Sequence, residues 1–145
     1  MKVYFAHPIS SYGTDQEKKI IAGLQGMGLT IVNPNDQEHQ DRVREIQNQY
    51  ADRNESSRIV MEYFVKVCSA CDGCVLLPFP DRSLGAGIVK EVQSFLDNKK
   101  KVQEVKLNAD GNVSLHDVPT LSAYKCLDVG QTRAMLKRIQ PKYKL

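Results

Sequence analysis

Gly73-Cys74-Val75-Leu76-Leu77-Pro78 is an unbroken apolar run, and Phe79-Pro80-Asp81-Arg82-Ser83-Leu84-Gly85-Ala86-Gly87 follows it directly. The run predicts a central strand covered on both faces, because a strand with one wet face alternates polar with apolar residues. The prolines, Asp81 and the glycines force an irregular loop. Beyond it, Ile88, Val92, Phe95 and Leu96 recur at helical spacing, with Glu91 one turn inside that helix.

Upstream, Glu55 to Cys71 carries a helical stripe of Val60, Phe64, Val67 and Cys71. Asp36 to Asn54 is strongly polar, with Val43 and Ile46 as a thin apolar stripe, and predicts a surface helix or a flap. Lys2 to Ala6 and Leu29 to Val32 read as strands, the first ending at Pro8 and the second at Asn33-Pro34-Asn35. Between them, Thr14-Asp15-Gln16-Glu17 predicts a capping box in which Thr14 and Glu17 satisfy each other's backbone donors. Ile20, Leu24 and Met27 continue that helix, and Gly26 and Gly28 stop it. A strand, a helix and a strand within about 30 residues imply a parallel pair joined by a crossover.

Downstream, Lys101 to Leu107 predicts a strand, and Asn108-Ala109-Asp110-Gly111-Asn112 a tight turn that pairs Val113 to Leu115 back as a hairpin. A short strand near Ala123 to Leu127 and a helix from Gln131 to Ile139 follow. The expected fold is α/β, a doubly wound, mainly parallel sheet with helices on both faces and a C-terminal hairpin extension. Such sheets bind ligands beyond the carboxyl ends of their strands, where strand order reverses. The loops after the first strand and after Leu77 meet there.

The bulk numbers narrow the function classes. A length of 145 residues, with 41% hydrophobic and 26% charged residues, suits one soluble domain over residues 1–145. The net charge is +3 and its visible cluster is Lys99-Lys100-Lys101, with Lys137, Arg138, Lys142 and Lys144 near the end. That lacks the dense basic face with interleaved aromatics of a nucleic-acid binder. No stretch approaches the roughly 18 apolar residues of a membrane helix. The first residues read directly as a strand, so a cytoplasmic chain without a secretory leader is expected. Cys68, Cys71, Cys74 and Cys126 are then expected as free thiols. The Cys68-x-x-Cys71-x-x-Cys74 run resembles cluster-ligand spacing, but the next ligand position is Pro78. With Cys74 in a strand and expected to face elsewhere, neither a metal nor another cofactor is expected.

Gly85 and Gly87 permit close approach to the backbone, and a helix N-terminus offers unpaired N–H groups. That pattern suits a phosphate or another anion, with Ser83 as a further donor. Helical side chains lean toward the N-terminus, so Glu91 should point back at the loop mouth. A carboxylate beside an anion site makes chemical sense if it attacks a sugar carbon whose neighbouring phosphate the loop holds. His7 is placed either to serve a departing base or phosphate, or to be structural. Tyr12 could stack on a base.

The chain resembles the nucleoside 2-deoxyribosyltransferase superfamily, which includes the deoxynucleoside 5′-monophosphate N-glycosidases. The resemblance rests on Val3-Tyr4-Phe5-Ala6-His7-Pro8-Ile9-Ser10, Val32-Asn33-Pro34, Cys71-Asp72-Gly73-Cys74-Val75-Leu76-Leu77 and Ser83-Leu84-Gly85-Ala86-Gly87, and spans roughly residues 1–103. It implies a flavodoxin-like sheet, a homodimer or larger homo-oligomer, and cleavage or transfer at the N-glycosidic bond of a nucleoside or nucleoside 5′-monophosphate. It also implies Glu91 as nucleophile, with Ser83, Gly85 and Gly87 at the substrate's 5′ end and Ile9, Ser10 and Ser11 opposite. Counted from Ser83, the family's usual glutamate position falls on Val89; counted from Gly87, the Gly-x-x-x-Glu spacing selects Glu91. The family's helical aspartate falls on Phe64, and the nearest carboxylate is Glu62, which Lys66 could pair with at i+4. If both departures are losses, the chain is a non-catalytic nucleotide-binding or sequestering protein on the same fold.

Overall fold

The computed structural model describes residues 1–139. In chain order the elements are β1 (Lys2–Ala6), α1 (Asp15–Gly26), β2 (Thr30–Val32), α2 (Gln37–Gln49), α3 (Arg53–Ser69), β3 (Gly73–Leu76), β4 (Ser83–Leu84), α4 (Ala86–Asp97), β5 (Lys101–Leu107), β6 (Val113–Asp117), β7 (Lys125–Cys126) and α5 (Val129–Ile139). The main sheet runs β2-β1-β3-β5-β6 and is parallel except for β6. The apolar run at Gly73 thus becomes the middle strand of five. The Asn108–Asn112 turn closes β5 and β6 as a hairpin, and β6 joins the main sheet as its antiparallel edge.

Strand alternation sorts the core into two layers. Val3, Phe5, Val75 and Val105 meet Ile20 and Leu24 of α1 on one face. Tyr4, Ala6, Cys74, Leu76 and Val102 meet Phe64 and Cys68 of α3 and Ile88, Val92 and Phe95 of α4 on the other. Cys74 therefore does not face away from the helix cysteines: Cys68, Cys71 and Cys74 share one apolar cluster as buried free thiols. Burial pushes all three thiols up. Among the described residues no group of three or more His, Cys, Asp or Glu is arranged to hold a metal. None of their helices is long and apolar enough to cross a membrane.

The N-terminus of α1 departs from the reciprocal capping box. Thr14 Oγ1 accepts from the Glu17 N–H, as expected. The Glu17 carboxylate accepts instead from the Gly13 N–H at 3.1 Å and meets His7 Nε2 at 2.7 Å, while the Thr14 N–H goes to the Ser11 carbonyl. The polar stretch after Asn35 is an ordered surface helix, α2, docked on α3 through buried Ile46 and a contact of 2.6 Å between His39 Nδ1 and the Tyr63 hydroxyl.

The loop after β3 is more ordered than its composition suggests. Ser83 and Leu84 pair in parallel with Lys125 and Cys126, a two-stranded sheet that periodicity over so few residues cannot reveal. Phe79 packs on Leu127, Met135 and Leu136, so the C-terminal segment is anchored on this loop. Arg82 adopts a left-handed backbone (φ 66°), which places its guanidinium on the buried Glu104 carboxylate at 2.9 and 3.1 Å. The Tyr124 hydroxyl donates to the same carboxylate at 2.5 Å.

Candidate functional site

The chain leaves β1 to build β2 on one side, then returns to build β3 on the other. At the carboxyl ends of β1 and β3, on the α3 and α4 face, lies a cleft of about 190 Å³. The loop after β1 supplies His7, Pro8, Ile9 and Tyr12. Helix α3 supplies Val60, Met61 and Phe64, and the second loop and α4 supply Phe79, Gly85, Gly87, Ile88 and Glu91. Helix α5 closes the wall with Thr132 and Leu136.

Glu91 is 7% exposed, and its carboxylate accepts a hydrogen bond from the Tyr4 hydroxyl. Burial raises the Glu91 carboxyl to about 7, and the Tyr4 bond pulls in the opposite direction. Tyr4 is pushed far up by its own burial and by the adjacent carboxylate, so its phenol stays protonated and acts as a donor. The result is an acid near half-ionisation at neutral pH, oriented by a neutral donor. Its neighbours are otherwise mostly apolar, an environment in which a carboxylate is poorly solvated and reactive.

Tyr4 is absent from the expected site residues, although it lies in the Val3–Ser10 stretch. Its signal was available: a tyrosine inside a buried strand requires a partner for its hydroxyl. Which partner could not be read locally, because Glu91 lies 87 positions away.

Of the expected site residues, His7, Ile9, Tyr12, Gly85, Gly87 and Glu91 converge on the cleft. His7 is a structural member of its wall. Its ring stacks on Phe5 at 3.9 Å, Nδ1 meets the Phe5 carbonyl at 2.8 Å and Nε2 meets Glu17. Burial lowers its pKa, and the Glu17 bond opposes that. With both nitrogens engaged, the imidazole has no atom left for a ligand in this arrangement. Glu17 also receives Asn35 Nδ2 at 3.4 Å, tying the loops after β1 and β2 together.

Ser10 and Ser11 do not share the cleft. They line a separate hollow of about 530 Å³ with Thr14, Arg82 and Lys106. Ser83 is fully buried and donates its hydroxyl to Asp81 at 2.5 Å, because Asp81 closes the tight turn that starts β4. Glu62 stands on the exposed side of α3, paired with Arg58 at 2.6 Å rather than with Lys66, and it lies outside the cleft. Gly87 lies within the first turn of α4, and Gly85 is its N-cap.

The expected open helix N-terminus is partly occupied by the chain itself. The Ala86 N–H donates to Thr132 Oγ1 at 2.9 Å, and a Cβ on Gly85 would meet Thr132 Cγ2 at 3.0 Å. Neither Thr132 nor Leu136 could be identified from the sequence, since their place depends on β7 delivering α5 to this loop.

Comparison with protein-family profiles, with curated proteins and with solved structures finds no match for this chain.

Proposed function

We propose that the chain cleaves or transfers at the N-glycosidic bond of a nucleoside or nucleoside 5′-monophosphate, with Glu91 as nucleophile, on a flavodoxin-like, doubly wound sheet that assembles as a homodimer or larger homo-oligomer. One observation carries this reading: a buried carboxylate, oriented by a tyrosine, lines the switch-point cleft one turn inside a glycine-capped helix.

In the first step a Glu91 oxygen attacks the anomeric carbon, and the carbon–nitrogen bond breaks with its electron pair going to the base. The base takes a proton from solvent. In the second step water, or a nitrogen of another base, attacks the same carbon and releases a proton to solvent, while the bond from that carbon to the Glu91 oxygen breaks and its electron pair returns to the carboxylate. Double displacement retains the anomeric configuration. Glu91 must enter the first step ionised, and the Tyr4 hydrogen bond favours that form.

The test is release of free base from a panel of nucleosides and their 5′-monophosphates, compared with Glu91→Ala. Release abolished in the variant supports the proposal; no release from any substrate by the folded wild-type chain refutes it.

A second reading, a non-catalytic nucleotide-binding protein, is favoured by one feature. Among the described residues lining the cleft Glu91 is the one carboxylate, and His7 is committed to Phe5 and Glu17. Recovery of a tightly bound nucleotide unchanged would select this reading.

A further inference from the structure

The N-terminus of α4 presents the geometry that usually attracts an anion: a glycine N-cap, a small first turn and a neighbouring cleft. Helix α5 alters what that geometry can accept. Thr132 donates its hydroxyl proton to the Asp128 carbonyl at 2.7 Å, which directs the oxygen's lone pairs toward α4. The oxygen then accepts the Ala86 N–H, the first helical donor. The Thr132 methyl packs so closely on Gly85 that a single added carbon would be crowded. The close approach that the glycine permits is thus made by a side chain of the same polypeptide.

The charge around the cleft points the same way. Among the described residues that line it none is lysine or arginine, and Glu91 contributes a partly ionised carboxylate. A phosphate ester entering here would lose water, meet a like charge and find the first helix donor taken. Arg82 and Lys106 line the other hollow, and Arg82 is already paired with Glu104.

We infer that Thr132 is a specificity-determining residue: by filling the anion position of α4 in cis, it restricts the cleft to ligands with an uncharged end, a nucleoside rather than its 5′-phosphate. This inference rests on the glycosidic reading for the word nucleoside. The exclusion of phosphate rests on the contacts alone.

The experiment is a titration of the full chain followed through the backbone amide signals of Ala86, Gly87 and Ile88. The probes are inorganic phosphate, and adenosine and thymidine each against its 5′-monophosphate. Wild type is expected to show no saturable shift with phosphate, and to bind a nucleoside at least about tenfold more tightly than its monophosphate, the worth of one charge-assisted hydrogen bond. Thr132→Ala uncovers the Ala86 N–H and the space beside Gly85, and is expected to bind phosphate there. Thr132→Ser keeps the hydroxyl and is expected to exclude it.

Saturable phosphate binding to wild type at these amides overturns the inference, whether or not the alanine variant folds. So does a folded alanine variant that still excludes phosphate, and so does tighter binding of a monophosphate than of its nucleoside. Base release is measured separately. Absence of turnover removes the glycosidic reading and leaves the phosphate result standing, whereas efficient cleavage of a 5′-monophosphate retains that reading and removes this inference.

Discussion

The Tyr4 hydroxyl, on a strand of the sheet, donates to the Glu91 carboxylate on the helix that covers it. Tyr4 is fully buried, so the bond joins a sheet layer to a helix layer inside the core and ends at the wall of the cleft. Two opposing effects meet on Glu91. Burial holds the proton on, and the tyrosine favours its departure.

Replacing Tyr4 by Phe keeps the ring and removes the donor. Glu91 should then titrate above about 7, since the one effect that lowers its pKa is gone. Carbon NMR of the labelled Glu91 carboxyl, followed from pH 5 to pH 9 without substrate, measures this directly. If the chain releases base, the acid limb of kcat/KM should move upward by the same amount. An unchanged midpoint would show that the hydrogen bond does not govern the ionisation.

Glu91→Gln separates stability from chemistry. The folded carboxyl at about 7 lies above its ordinary 4.5, so the protonated form is the one that folds well. The contribution of Glu91 to stability is whole below pH 4.5 and is lost as pH rises to about 7. At 1.36 kcal/mol per pH unit, the loss above pH 7 is about 3 kcal/mol. The glutamine cannot ionise and still accepts from Tyr4. Urea unfolding should find the two proteins alike near pH 4.5 and the variant more stable at pH 8 by up to ~3 kcal/mol, with base release abolished throughout.

Glu104 has the opposite sign. Burial pushes its carboxyl up, but the hydrogen bonds from Arg82 and Tyr124 outweigh it and hold the group below its ordinary value. Its stabilisation is present above pH 4.5 and disappears as pH falls through the lowered folded value. Glu104→Gln should cost about 1–2 kcal/mol at pH 7 and progressively less in acid, the range for hydrogen bonds to a charged group, discounted because Arg82 is half-exposed. Equal losses at pH 7 and pH 3 would contradict the assignment.

Gly23 lies inside α1, where alanine ordinarily favours the helix. Here an added Cβ would meet Val113 Cγ2 at 2.7 Å and Cγ1 at 2.9 Å. A β-branched side chain on a paired strand cannot readily turn away. Gly23→Ala should therefore lower stability by about 1–3 kcal/mol, and Val113→Ala in that background should recover part of the loss. Thermal unfolding of the two single variants and the double variant measures the coupling.

The sequence by itself determined most of the elements and their order, but not β4, which it read as loop, nor the choice of helix over flap for α2. Lys2–Ala6, Gly73–Leu76 and Lys101–Leu107 are strands because β-branched and apolar residues dominate them, and α4 is a helix because Ile88, Val92 and Phe95 fall on one face. It also placed Gly87 and Glu91 on one cleft, since a spacing of four residues on a helix fixes their relation. Only the tertiary structure decided what surrounds them. Tyr4 reaches Glu91 because strand alternation and helix packing bring them together across the core. Ser83 turns to Asp81 because a tight turn satisfies it first, and Ser10 and Ser11 open onto the other hollow. Thr132 reaches Ala86 because β7, the short strand legible near Ala123 to Leu127, pairs with β4, whose two residues are too few to leave a pattern in the chain. Periodicity records which face a residue occupies; the partner it meets there depends on packing between segments distant in sequence.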